Sequence, residues 1–189
     1  MQSEALSSAP TGEELRVRHA ERDARITRDV SKGIAIDGDY YLNAGRLQRV
    51  IAAVTAMGLS RQYRRSLSQW VYRATGVEPE VQTEKMLREW AEVFVQHNEL
   101  FRASGAHPGH FSLIARRSVE KVSGPTDDDR VRPPVTEAVL KLLIETAIAM
   151  HGTQLSRKAD KRWGLNLTIP FMGGLLGALL GVAGVLLKS

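Results

Sequence analysis

The 189-residue chain has no cysteine. That excludes disulfide scaffolds, cysteine zinc sites and thiol nucleophiles. Aromatic residues are sparse at 6%. The five histidines, His19, His97, His107, His110 and His151, are scattered, with no carboxylate near the His107–His110 pair to complete a metal site. No GxSxG elbow and no GxxxxGK[ST] phosphate loop is present. No enzyme, metal or cofactor is therefore expected. The N-terminus has neither the apolar core of a secretory signal nor the arginine-rich make-up of a transit peptide.

What is present is uneven. The net charge is +5, with 26 Lys+Arg against 21 Asp+Glu. Leu167–Leu187 carries no charge at all. As a helix this stretch reaches roughly 30 Å, one hydrocarbon core. Arg157, Lys158, Lys161, Arg162 and Trp163 precede it, the flank expected of a membrane anchor. Gly173, Gly177 and Gly181 recur every four residues, a spacing that lets helices approach closely in lipid. Three regions follow: a disordered start at 1–10, a helical body over 11–163 and a membrane anchor over 164–189. The body is expected in the cytosol, with the anchor in a membrane and homo-oligomers as one consequence.

The body reads as all-α, a bundle of six to eight helices around a central apolar pair. Thr11 with Glu14 forms a capping box. Leu47–Met57 is apolar at helical spacing. Ser60 is expected to cap a helix over Arg61–Thr75, with Tyr63, Leu67, Trp70 and Val71 on one face. Thr83 opens a helix that turns Met86, Leu87, Trp90, Phe94 and Val95 inward. Phe111–Val122 is expected to follow as a helix. The segment from Thr136 to Gly152 is apolar around most of its circumference, which predicts a surrounded, central helix.

Val30–Leu42 reads VSKGIAIDGDYYL. In a helix, Val30, Ile34, Asp37 and Tyr41 fall within about a sixth of a turn, beside Gly38 and Asp39. This resembles the third homology motif of the Bcl-2 family, although Asp37 stands at a hydrophobic position. Glu99-Leu100-Phe101-Arg102, then Gly105, Gly109 and Phe111, resemble the first homology motif, with His110 where an arginine is usual. Arg162-Trp163 stands where the second motif keeps its tryptophan, and the apolar tail closes the chain. The resemblance implies a Bcl-2-like bundle and an apoptosis regulator at the mitochondrial outer membrane, more pore former than inhibitor. It works by helix-in-groove binding to other Bcl-2-like proteins or their motif helices. The motif helix carries Val30, Ile34, Asp37, Gly38, Asp39 and Tyr41. Phe101, Arg102, Gly109, His110 and Phe111 line the groove. Membrane lipid is a partner; no small-molecule substrate and no nucleic acid are implied.

Two other readings compete. One is a bacterial or viral membrane effector that oligomerises through Gly173, Gly177 and Gly181. In the other, Phe101–Ala115 forms a strand–GAHPG–strand hairpin. With the helices before it, that makes a membrane-tethered winged-helix domain binding DNA through Arg61, Arg64 and Arg65. The Bcl-2-like and winged-helix folds differ most sharply over 111–122, helix in the former and strand in the latter.

Overall fold

The computed structural model describes residues 11–33, 40–117 and 132–160. The described chain is mostly helical. Helix α1 (Gly12–Gly33) starts at the expected capping box. The Thr11 backbone N–H donates to Glu14 Oε2 at 2.8 Å, and the Glu14 N–H donates to Thr11 Oγ1 at 3.3 Å. One stripe of α1, Asp23, Ile26, Thr27 and Val30, is buried. After a 3-10 turn at Tyr40–Leu42, α2 (Arg46–Leu59) buries Val50, Ala53, Val54 and Met57.

Residues 61–66 are not helical. Arg65–Ser66 forms a short strand, β1. Helix α3 (Leu67–Thr75) begins only at Leu67, where Ser66 rather than Ser60 supplies the cap by accepting from the Gln69 N–H. Tyr63 therefore lies outside the helical face it was expected to share. Helix α4 (Glu84–Gln96) is capped by Thr83 as expected and buries Leu87, Trp90, Ala91, Val93 and Phe94.

Strands β2 (Phe101–Ala103) and β3 (His110–Leu113) then form a hairpin. The sheet is antiparallel in the order β1-β3-β2, with Arg65 opposite Phe111 and Phe101 opposite Leu113. The helix expected over Phe111–Val122 is corrected for its described part, 111–117, while 118–122 lie outside the described residues. Residues 110–113 are strand and Ile114–Arg117 is a 3-10 turn. Phe111 and Leu113 are core residues, and Ser112 between them is buried as well, as befits the central strand of the sheet. The Phe111 ring stacks on Phe94 at 4.8 Å, and Phe101 meets Phe94 edge-on at 5.1 Å.

Residues 137–160 form α5. It is not surrounded. Leu142 is 62% exposed, Ile148 48% and Leu155 50%. One side of α5 joins the core through Ala147, with Leu140, Leu143, Ile144 and Met150 packed beside it, and the opposite side is uncovered among the described residues. Its inner side meets α2 at Gly58, where a Cβ would lie 2.9 Å from Leu140 Cδ1. Its far end meets the 3-10 turn, where the Tyr41 N–H donates to Gln154 Oε1 at 2.9 Å.

Candidate functional site

Charge is sorted by region. Segments 61–77 and 100–117 supply the sheet, α3 and the hairpin. They contain Arg61, Arg64, Arg65, Arg73, Arg102, Arg116 and Arg117, and no acid. Segment 78–99, which supplies α4, contains Glu78, Glu80, Glu84, Glu89, Glu92 and Glu99 against Lys85 and Arg88.

The α4 side is neutralised by its neighbours. From α1, Arg25 pairs with Glu84 at 3.3 Å and Asp29 with Arg88 at 3.7 Å. From α2, Arg46 pairs with Glu92 at 2.7 Å and Arg49 with Glu89 at 2.6 Å. Arg22 of α1 reaches over to the Pro79 carbonyl at 3.1 Å. Helices α1 and α2 thus flank the polar face of α4.

The sheet-side arginines are placed without carboxylate partners. Among the described residues, none of Arg61, Arg64, Arg65, Arg73, Arg102 and Arg117 takes part in an ion pair. Arg64 donates from Nη1 to Ser104 Oγ at 3.3 Å. The same hydroxyl accepts from the His107 N–H at 3.2 Å. Arg65 lies over the Trp70 ring at 5.8 Å, and the Trp70 indole donates to the Phe111 carbonyl at 2.8 Å. Burial and the nearby Arg73 both depress the Arg65 pKa. Arg116 is the exception in placement. It is fully buried and donates to the carbonyls of Met57, Gln62 and Pro133, so it holds the 3-10 turn to the chain around it.

Gly109 fixes the hairpin to α1. Its φ is +79°, and a Cβ there would sit 2.8 Å from the Ala24 N and the Asp23 C atoms of the backbone. The Gly109 carbonyl accepts from the Leu67 N–H at 2.9 Å. Asp23, also buried, accepts from the Ser68 N–H at 2.8 Å and from its hydroxyl at 2.7 Å. Helix α1, the start of α3 and the hairpin therefore meet at one rigid junction. A pocket of about 230 Å³ opens beside it, lined by Gln62, Arg64, Gln69, His107 and His110. Burial pushes the His110 pKa down, and the nearby His107 and Arg64 add to the depression.

The residues of the groove reading are not assembled into a groove. Phe101 and Phe111 are core residues, 2% and 0% exposed. Arg102 is exposed on β2, Gly109 is wedged against α1, and His110 faces the pocket. The motif stripe is not one described helix either. Val30 is buried on α1, which ends at Gly33, and Tyr41 is buried on the 3-10 turn. Ile34, Asp37, Gly38 and Asp39 lie outside the described residues, as do Gly173, Gly177, Gly181 and the whole apolar tail.

Among the described residues, no helix is long and apolar enough to cross a membrane, and no group of three His, Cys, Asp or Glu is placed to hold a metal. Arg61, Arg64, Arg65, His107 and His110 stand out separately in the sequence, whereas the roles of Gln62, Gln69 and Ser104 depend on the hairpin folding back on β1. Comparison with protein-family models, curated proteins and solved structures gives no match.

Proposed function

We propose that the body is a winged-helix module that binds nucleic acid through its sheet and hairpin side, with the apolar tail Leu167–Leu187 as its membrane tether. The order α2-β1-α3-α4-β2-β3, with β3 between β1 and β2, is that of a winged helix. The observation that carries the binding reading is that, among the described residues, segments 61–77 and 100–117 carry arginines and no acid. Unpaired arginines on a phosphate backbone release counterions, and that term supplies most non-specific affinity.

The mode departs from the usual one. Helix-turn-helix proteins insert the second helix of the pair, here α4, into the major groove. The polar face of α4 carries Glu84, Glu89 and Glu92, each tied to an arginine of a neighbouring helix or of α4 itself. An acidic, flanked helix is a poor reader of base edges beside phosphates. Backbone contact by the hairpin side positions without specifying sequence. Gly173, Gly177 and Gly181 offer the tether a small-residue stripe for self-association. The winged-helix reading is preferred to the Bcl-2-type one because His110–Leu113 is a strand paired with both β1 and β2.

The test is fluorescence anisotropy with the full-length chain in a non-ionic detergent and duplexes of unrelated sequence. Comparable affinities that weaken steeply with salt support the reading. No binding at low salt, or binding to anionic vesicles alone, overturns it and turns the arginine face toward lipid.

A further inference from the structure

We propose that the pocket beside the hairpin turn is a phosphate-monoester site, held by Arg64, His107 and His110. The walls come from three separate segments: Gln62 and Arg64 ahead of β1, Gln69 on α3, and His107 and His110 of the hairpin. The lining is one guanidinium, two imidazoles and two amides, with no carboxylate. Such a set offers donors to oxygen from several directions and no charge that repels an anion.

The geometry is set before any ligand arrives. Ser104 Oγ accepts from both Arg64 and the His107 N–H, so one hydroxyl orients the cation and the turn together. The His110 N–H donates to the His107 carbonyl at 3.1 Å, closing that turn. His110 Nδ1 lies 3.5 Å from the Pro108 carbonyl, which favours a proton on Nδ1 and leaves Nε2 for other partners. Gly109 between them is wedged on the α1 backbone.

Shape and charge favour a monoester over a diester. A pocket of about 230 Å³ with three walls suits an end group, whereas a diester must leave on both sides. The second ionisation of a monoester, at a pKa of about 6, falls in the imidazole range, so proton and dianion can be taken up together. The groups facing His110 are His107 and Arg64, with the buried Asp23 further back. Two of the three disfavour its protonation, and an incoming dianion reverses that balance. Affinity therefore rises as pH falls toward 6.

The pocket stands independently of the nucleic-acid reading, although both use Arg64. The source of the phosphate is either a small phosphorylated compound or the phosphorylated end of a nucleic-acid strand. The test is an imidazole-proton NMR titration of the full-length chain in dodecyl maltoside with inorganic phosphate. Saturable shifts of both His107 and His110 are expected at millimolar phosphate. Arg64→Gln should weaken binding about tenfold or more, while Arg64→Lys keeps part of it. His107→Gln with His110→Gln should remove the rise in affinity toward pH 6 and leave only the ligand's own titration. Unchanged near-ultraviolet dichroism in each variant shows that the packing of the aromatic core, Trp70 among it, is intact. Shifts that never saturate, or equal binding by Arg64→Gln, overturn the site. In a second arm, tighter binding of a 5′-phosphorylated duplex than of its 5′-hydroxyl twin assigns the source to strand ends. Equal duplex binding beside a saturating phosphate titration assigns it to a small phosphate ester.

Discussion

The two polar regions of the body use arginine in opposite ways. On the α4 side, Arg25, Arg46 and Arg49 are spent on Glu84, Glu92 and Glu89, and the outcome is helix-to-helix attachment. On the sheet side Arg64 has a hydroxyl partner and Arg65 a ring partner, and neither takes part in an ion pair among the described residues. The same residue type attaches helices where a carboxylate faces it and keeps its charge at Arg64 and Arg65 where none does, while the buried Arg116 is structural without a carboxylate. Net charge alone, +5 for the chain, conceals this division.

The largest expected effect tests whether the hairpin is rigidly seated. Gly109→Ala combines a positive φ with backbone contact at 2.8 Å, and should cost about 3 kcal/mol or more. Denaturant melts of the variant measure it, and a loss under about 1 kcal/mol would show that the hairpin yields. Asp23→Ala comes next. It removes both hydrogen bonds that anchor α3 to α1, and a loss of about 2–3 kcal/mol is expected by the same melts. Retained stability would mean that Ser66 caps α3 sufficiently alone. On the α4 side, Arg49→Ala breaks a half-exposed pair and should cost no more than about 1 kcal/mol. A larger loss would place more of the fold's stability on that flank than the exposure allows.

A pH scan sharpens the contrast further. His97 is fully buried, and burial holds its pKa below the ordinary 6.5 despite the hydrogen bond to Glu99 at 3.1 Å. A depressed histidine favours the fold while neutral. Its contribution is present above 6.5 and is lost as pH falls through the lowered value. His110 is shifted the same way. Thermal midpoints should therefore decline on acidification below 6.5, and His97→Gln should flatten that decline. An unchanged slope in the variant would remove His97 from the account.

Much of the helical body is legible in the sequence because local chemistry decides it. Thr11 with Glu14, and Thr83 before Glu84, mark helix starts that form as read. Leu87, Trp90 and Phe94 keep their helical period and are buried. The sheet is harder to see. Each strand has two to four residues, too few for a period of two to stand out from an apolar helical run such as Phe111–Ile114. Ser60 and Ser66 are both plausible caps, and only pairing of Arg65 with Phe111 decides for the second. The apolar circumference of α5 misled for a related reason. Composition tells what a face tolerates, whereas burial depends on whether another element covers it. The pocket was hidden by distance in sequence, since Arg64 and His110 meet only through the hairpin.

The central claim is that the sheet side, and not the α4 side, meets the phosphate backbone. It is tested most directly by the salt dependence of duplex binding in matched variants of the full-length chain. Arg73→Ala and Arg102→Ala should each lower the slope of log affinity against log salt by about 1, for every duplex sequence tried. Arg25→Ala and Arg49→Ala should leave it unchanged. Equal slopes across all four variants, or a loss confined to the α4-side pair, would contradict the account.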